Sequence, residues 1–227
     1  PSYFGLIGSN LRCLPKVLGR YRRLRKDMYR NPVQLGDPFG LAFSPAAGRE
    51  KEIVEHFMDL GIRQALLRIP SWERKRLPHY EDWLDLMTEQ GIEVTIALLQ
   101  RREDVLHPEK WKDFLEETFS RLREKSLVFE IGHAWNRTKW GIWDYREYLR
   151  LAEPAVEIGR KYNVSLAGPA VIDFEFHLYP PVMRAVPFDI ISSLLYVDRT
   201  GAPENRQFGW DTGAKTALLR LSLIHIS

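Results

Sequence analysis

From residue 38 onward, short apolar runs alternate with longer amphipathic stretches, and this alternation constrains the fold more than any other feature of the 227-residue sequence. The apolar runs predict strands at residues 39–43, 65–69, 94–99, 127–131, 164–170 and 188–197. The amphipathic stretches predict helices at residues 50–60, 80–89, 108–124, 143–162, 177–185 and 211–220. Strands that alternate strictly with helices indicate an α/β fold with a parallel sheet.

A doubly wound sheet and a closed barrel both satisfy this alternation. No Gly-rich phosphate loop follows the first strand, where a dinucleotide-binding sheet places one. Polar and aromatic residues instead gather just after several strands, which is typical of the functional face of a barrel. Because a complete barrel has eight units and about 250 residues, residues 38–220 are predicted to form a (β/α)8 TIM barrel truncated at the C-terminus after about six units.

Residues 1–37 precede this pattern and form a basic leader. Residues 1–30 hold 8 basic residues and 1 acidic residue, whereas the rest of the chain holds 25 basic and 29 acidic residues. Apolar side chains recur there at helical spacing, namely Leu11, Leu14, Leu18, Tyr21, Leu24 and Met28. The leader is interpreted either as an interfacial helix that contacts an anionic membrane through residues 8–30, or as a helix packed across the bottom of the barrel. Pro15 favours the second interpretation, because it interrupts the apolar stripe.

The composition narrows the remaining function classes. Outside the leader the charge balance gives little support to nucleic-acid binding, so no nucleic-acid partner is predicted. The single cysteine, Cys13, fits a reducing compartment. With no visible signal peptide or membrane-spanning run, we predict a cytoplasmic protein, with peripheral membrane attachment as the alternative. No Cys/His spacing suggests a metal site, and no cofactor is predicted.

The last residues, 221–227, read Leu-Ser-Leu-Ile-His-Ile-Ser. One reading frame of a widely used transposon-end sequencing adapter encodes the same string. We therefore interpret this segment as a non-native tail that follows the barrel.

The most informative segment is 128–143, Val-Phe-Glu-Ile-Gly-His-Ala-Trp-Asn-Arg-Thr-Lys-Trp-Gly-Ile-Trp, in which a buried strand leads into a polar and aromatic loop. It resembles the fourth strand of clan A glycoside hydrolases of the family 39 type, which read Glu-Ile-Gly-Asn-Glu-Pro-Asn followed by a Trp-rich loop. The matching residues are Glu130, Ile131, Gly132, Asn136, Trp140 and Trp143. The resemblance implies a barrel that acts on glycosides or binds them, with a carbohydrate as its ligand.

Two departures from the family pattern bear on activity. The family's Asn-Glu pair, which includes the acid/base, aligns with His133 and Ala134, and its strand-six histidine aligns with Leu194. Retaining hydrolysis requires two carboxyl groups about 5–5.5 Å apart, and the nucleophile's seventh strand is not reached. The resemblance therefore implies either a glycosidase with altered catalytic groups or a catalytically inactive barrel that binds a carbohydrate or a protein partner.

The candidate catalytic residues are His133, Tyr196 and Asp173. His133 either transfers protons near neutral pH or only forms a hydrogen bond at the strand end. Asp173, with Glu175, either reaches the barrel mouth or caps the following helix. Tyr196 corresponds to the family's strand-six tyrosine.

Glu130 shares strand parity with Gly132 and is predicted to point into the barrel. A carboxylate in that position needs a partner, and Arg68 on the second strand is the candidate. Arg68 alternatively binds an anionic group of a ligand.

The candidate substrate-binding residues are Arg68, Trp72, Gln100, Trp135, Asn136, Lys139, Trp140 and Trp143. Indole rings stack on sugar faces. Each tryptophan alone fits packing over the barrel rim better, whereas several on one face fit carbohydrate contact equally well. Basic side chains after the third and fourth strands, namely Arg101, Arg102, Arg137 and Lys139, predict a basic mouth. An acidic or phosphorylated glycan is therefore the predicted ligand.

Overall fold

The computed structural model describes residues 2–31, 36, 39–126, 128–173, 175–194 and 211–223. Six strands form a single curled sheet, in the order in which they occur along the chain. They are β1 (Gly40–Phe43), β2 (Gln64–Pro70), β3 (Glu93–Leu99), β4 (Val128–Ile131), β5 (Ser165–Ile172) and β6 (Ile190–Leu194). Each strand pairs in parallel with the next, which confirms the predicted α/β class and the parallel sheet.

Eight helices accompany the strands in the described part of the chain. They are α1 (Ser2–Arg30), α2 (Glu50–Asp59), α3 (Leu77–Glu89), α4 (Arg102–Leu106), α5 (Pro108–Leu122), α6 (Tyr145–Tyr162), α7 (Tyr179–Ala185) and α8 (Thr212–Leu223). Short 3-10 turns occupy Ser71–Arg76, Thr138–Trp140 and Phe176–Leu178. Helix α4 is absent from the sequence prediction, because five residues are too few to show a helical period.

The core lies between the convex face of the sheet and the helices. On β2 the side chains of Leu67 and Ile69 are completely buried, whereas those of the alternate residues Leu66 and Arg68 are half-buried. Alternation of this kind places successive side chains on opposite faces of a strand. The convex face therefore carries the apolar core, and the concave face carries Arg68.

Helix α6 shows how the sequence sets the ends of these elements. Asp144 precedes the helix, and its side chain accepts a hydrogen bond from the backbone N–H of Arg146 at 2.9 Å. A capping acceptor of this kind satisfies one of the free N–H groups of the first turn. The helix ends at Asn163, whose left-handed backbone suits an asparagine. Tyr148, on its first turns, is thereby fixed against β4.

Helix α1 differs from the sequence prediction in two respects. Pro15 lies inside an uninterrupted helix, with its side chain exposed. The helix packs against α7, α8 and the turn Phe176–Leu178, so the expected position across the bottom of the barrel is wrong. Asn10 makes one of these contacts, since its Nδ2 donates to the carbonyl of His177 at 2.9 Å. Across the described ranges, no helix combines the length and the apolar character needed to cross a bilayer.

Candidate functional site

Glu130 and Arg68 lie in one row across the concave face of the sheet. The register pairs Arg68 with Ala97, Ala97 with Glu130 and Glu130 with Ala167. Two strand spacings, or about 9–10 Å, therefore separate the Arg68 and Glu130 backbones, with only a methyl group between them. The predicted ion pair is wrong, since no N···O contact within 4.0 Å joins the two side chains among the described ion pairs.

The Glu130 carboxyl is buried with only partial compensation. Glu130 is 5% exposed, and this burial raises the pKa of its carboxyl from 4.5 to about 7. A Ser192 hydrogen bond and the charge of Arg68 oppose this rise without cancelling it. Oε1 of Glu130 has no hydrogen-bond partner within the described part of the chain. The group is thus a carboxyl that changes protonation near neutral pH, with one oxygen facing no protein donor.

Two tyrosines adjoin the same carboxyl. Burial and the charge of Glu130 raise the pKa of Tyr179 to about 12, against the opposing effect of a Ser193 hydrogen bond. Burial and the charge of Glu130 also raise the pKa of Tyr148 well above its usual value. The Tyr148 hydroxyl donates to the carbonyl of Ile131 at 2.8 Å, and the Tyr179 hydroxyl donates to the carbonyl of Ser192 at 3.3 Å. Both phenols therefore stay neutral and hold strand ends in place.

His133 lies just after β4, the strand that carries Glu130, and it is only 6% exposed. Burial, then the charges of Arg68 and Lys139, lowers its pKa from 6.5 to about 4. With this lowered pKa the ring is neutral near pH 7, which weighs against a proton shuttle there. Its ring meets the Trp140 ring edge-on, with the centroids 5.1 Å apart. Nδ1 of His133 lacks a hydrogen-bond partner among the described residues.

Gln100 holds His133 in place and does not face a ligand. It is fully buried. Its Oε1 accepts from the backbone N–H of His133 at 2.9 Å, and its Nε2 donates to the carbonyls of His133 and Trp140, both at 3.3 Å. Its prediction as a substrate-binding residue is therefore corrected to a positioning role, because both ends of the amide are used by backbone groups.

Arg137 neutralises the acidic residues after β5. Its guanidinium pairs with Asp173 at 2.5 Å and also with Glu175. Asn136 accepts from the N–H of Ile172 and donates to its carbonyl, each at 2.9 Å, and it also donates to Glu175. Glu175 precedes the next helical turn, Phe176–Leu178, but its side chain forms no capping hydrogen bond. The Asp173 carboxylate is held by Arg137 and is therefore not available as a proton donor. Asn136 joins β4 to β5 and is not directed at a ligand.

The four candidate tryptophans divide into three environments. Trp135 is 2% exposed and stacks on Tyr148 at 4.6 Å, so its prediction as a sugar platform is wrong. Trp72 and Trp143 are exposed at the rim, and a guanidinium lies over each ring, at 6.0 Å for Trp72 and 3.9 Å for Trp143. Trp140 is partly exposed and is the indole that borders His133.

The predicted basic mouth is largely neutralised. Arg101 pairs with Glu103 at 2.7 Å, and Arg102 pairs with Glu147 at 2.7 Å. With Arg137 also paired, the positive charges that act on the site are those of Arg68 and Lys139, which both lower the pKa of His133. The site therefore offers two cationic groups, whereas the sequence suggested a broad basic surface.

The backbone just after β4 and at the carboxyl end of β5 is left-handed at three non-glycine residues. Ala134, Ala170 and Asp173 have φ values of 45°, 52° and 61°. The left-handed region costs a residue with a Cβ about 1–2 kcal/mol, and such residues concentrate at functional sites. Ala134, where the resemblance places the acid/base, is 1% exposed, and its N–H donates to the Ala170 carbonyl at 3.1 Å. Its side chain is packed inside the protein.

Several residues stand outside these interpretations. Tyr196 and residues 224–227 of the interpreted tail lie outside the described residues. Ser192 and Tyr179 belong to the site, although sequence reasoning missed them, because an apolar strand and a Pro-rich helix gave no sign of a polar role. Within the described ranges, no group of three or more His, Cys, Asp or Glu residues could hold a metal ion.

A separate cavity of about 540 Å³ lies at the amino end of β5, lined by residues that include Arg160, Ser165 and Asp189. The Asp189 carboxylate accepts from the N–H of Leu166 at 2.8 Å there. Ligands of parallel α/β sheets bind at the carboxyl ends of the strands. The cluster around Glu130 and His133 is therefore the better candidate site.

No protein-family model matches the sequence, and no curated protein matches it. Among solved structures, the virulence factor SghA from Agrobacterium tumefaciens aligns with a TM-score of 0.46 and 12% identity, over 67% of this chain and 49% of that one. D-psicose 3-epimerase from Clostridium cellulolyticum H10, with D-tagatose, aligns with a TM-score of 0.48 and 14% identity, over 68% of this chain and 61% of that one. The chain spans about half to three fifths of these structures, and similarity at this level assigns no family.

Proposed function

We propose that this chain is part of a (β/α)8 barrel that binds a carbohydrate at the carboxyl ends of its strands. The observation that carries the proposal is a set of buried polar atoms on the concave side, Arg68 Nε, Glu130 Oε1 and His133 Nδ1, that have no partner among the described residues. A buried polar atom without a partner costs about 1–3 kcal/mol. A ligand rich in hydroxyl groups recovers this cost, since a hydroxyl both donates and accepts.

The surrounding groups support an acidic or phosphorylated sugar. Arg68 and Lys139 both act electrostatically on His133, so the site favours a ligand with an anionic group. Trp140 is partly exposed beside the His133 ring, with Lys139 Nζ 5.5 Å from its ring centroid, so an indole face and a cation lie together where a sugar ring with an anionic group would stack. The proposed ligand thus presents hydroxyls to Glu130 and His133, and a carboxylate or phosphate to the two cations.

Binding without hydrolysis is the form of this function that we favour. Ala134 is buried, and Asp173 and Glu175 are both paired with Arg137. Retaining hydrolysis needs a second carboxyl about 5–5.5 Å from the first, and these two carboxylates are committed to the guanidinium. A hydrolase is the second candidate, and one observation favours it: Glu130, with a pKa of about 7, can donate a proton at neutral pH.

A glycan array of neutral, acidic and phosphorylated sugars, run beside a hydrolysis screen, tests both candidates. We expect the full chain to bind one or more anionic glycans without turnover. The double variant His133→Ala, Trp140→Ala removes an unpaired acceptor and the adjacent indole, and we expect it to lose at least about 30-fold in affinity, as central contacts of a binding site do.

The matched control is Trp143→Ala, which removes another rim indole, one already covered by the Arg102 guanidinium. Its affinity is expected to stay within about twofold of the unchanged chain. Absence of binding to every glycan, or equal losses in the double variant and the control, overturns the proposal. Hydrolysis that is abolished by Glu130→Gln favours the second candidate.

A further inference from the structure

Helix α1 presents an apolar stripe to solvent. Its members are between 48% and 74% exposed and are Tyr3, Phe4, Ile7, Leu11, Leu14 and Leu18. Residues three and four apart lie on the same side of a helix, so these side chains form one continuous surface about four turns long. A contiguous exposed apolar surface of this kind marks an interaction site.

A different face of α1 attaches it to the rest of the protein. Ser9 and Cys13 are buried, and Nη1 of Arg184 on α7 donates to the Ser9 hydroxyl at 3.2 Å. Asn10 adds the hydrogen bond to the His177 carbonyl. The apolar stripe is therefore exposed on a helix whose own docking contacts are already made.

Exposed cations accompany the stripe along α1. They are Arg12, Lys16, Arg20, Arg22, Arg23, Arg25, Lys26 and Arg30, against the single acidic residue Asp27. Arg25 pairs with Asp211 at 3.5 Å. The basic half of the helix also lines a groove of about 1120 Å³, in which Arg22, Arg25, Lys26 and Arg30 meet Leu18 and Tyr29. Apolar and cationic surfaces thus adjoin on one exposed side of the helix.

We propose that α1 binds the surface of an anionic lipid bilayer. The apolar stripe enters the boundary between headgroups and acyl chains, and the cations contact lipid phosphates and carboxylates, as in amphipathic helices that lie in the membrane plane. A second copy of the chain fits this surface less well. Pairing two stripes brings together two segments of eight basic and one acidic residue each, which repel one another, whereas an anionic bilayer neutralises them.

Vesicle co-sedimentation of the full chain tests this proposal. We expect binding to phosphatidylcholine vesicles that contain phosphatidylserine, weak binding to phosphatidylcholine alone, and release at high salt because screening shortens the reach of the lipid charge. Equal binding to both vesicle types, or to neither, overturns the proposal.

Two variants separate the apolar and the cationic contributions. Leu11→Gln with Leu18→Gln changes two exposed stripe positions, and we expect a loss of at least about tenfold per leucine, the value of one buried leucine side chain. Arg12→Gln, Lys16→Gln, Arg23→Gln removes three cations, with an expected loss of about fivefold each. If circular dichroism shows that the stripe variant does not fold, the charge variant decides the test.

The matched control is Leu60→Gln with Leu106→Gln, two leucines that are 64% and 60% exposed outside α1. We expect the control to bind vesicles as the unchanged chain does. Vesicle binding that survives both α1 variants contradicts the proposal. So does a lipid-independent dimer that becomes a monomer in the stripe variant, since the stripe is then an interface between copies.

Discussion

Replacing Glu130 by glutamine is expected to raise the free energy of unfolding by about 2–3 kcal/mol near pH 8. Burial raises the Glu130 pKa from 4.5 to about 7. Near pH 8 the carboxyl is already ionised in the unfolded chain, so folding must transfer a charged group into a buried site that disfavours the charge. Glutamine has the same shape, carries no charge and keeps an oxygen for Ser192. A residue that lowers stability in this way is typical of a binding or catalytic site.

The direction of each pKa shift determines the pH range over which that group stabilises the fold. Because the folded pKa of Glu130 is raised, its favourable contribution is fully present below pH 4.5 and is lost as the pH rises through about 7. The folded pKa of His133 is lowered from 6.5 to about 4, so its contribution is present above pH 6.5 and is lost as the pH falls through about 4. The two groups therefore oppose each other over most of this range.

Urea unfolding across this pH range separates the two groups. In Glu130→Gln we expect stability to fall as the pH drops from 6.5 to about 4, because His133 is the one of these two groups that still titrates there. In His133→Gln stability should fall as the pH rises from 4.5 to about 7. Glu153→Gln, at an exposed position of α6, is the control and should change stability by less than about 0.5 kcal/mol. If Glu130→Gln is less stable than the unchanged chain near pH 8, the buried Glu130 carboxylate does not lower stability and the prediction is wrong.

Gly141→Ala is expected to cost at least about 3 kcal/mol and to displace the loop that carries Trp140. Gly141 has φ of 85°, and a Cβ there would lie 2.1 Å from the backbone nitrogen of Arg102 and 2.6 Å from the carbonyl carbon of Arg101. Both obstacles are backbone atoms, which cannot rotate away as a side chain can. The loop must therefore shift, and Trp140 with it, so glycan binding should fall together with stability.

Gly91→Ala separates backbone strain from this clash. Gly91 also has a left-handed backbone, with φ of 67°, but nothing lies within 4 Å of a Cβ placed there. We expect it to cost about 1–2 kcal/mol, the value for a left-handed residue with a Cβ, and to leave glycan binding unchanged. Urea unfolding and the array compare the two variants directly, and equal costs would show that Arg101 and Arg102 yield to the new methyl group.

The sheet was predictable because its evidence is local. Each strand is a short apolar run bounded by polar residues, and its period is visible without knowledge of any partner. The strand at residues 65–69 illustrates this, since the observed Gln64–Pro70 differs by one residue at each end. Parallel pairing then follows from alternation with helices.

The site was less predictable because its chemistry depends on contacts between distant residues. The sequence shows the charge of Arg137, but not that Asp173 and Glu175, 36 and 38 residues further on, neutralise it. It shows a polar Gln100 after a strand, but not that the backbone of His133 takes both ends of its amide. Pairing of this kind depends on which strand ends meet across the sheet, and a periodic pattern carries no such information.

A crystal structure of the chain with the glycan that binds most strongly on the array tests the central claim most directly. We expect a sugar oxygen within about 3.2 Å of Glu130 Oε1 or His133 Nδ1, with the sugar ring against Trp140 and its anionic group towards Arg68 or Lys139. A glycan bound only at the outer rim, against Trp72 or Trp143, would contradict it, as would protein side chains that pair with Glu130 Oε1 and His133 Nδ1 in that structure.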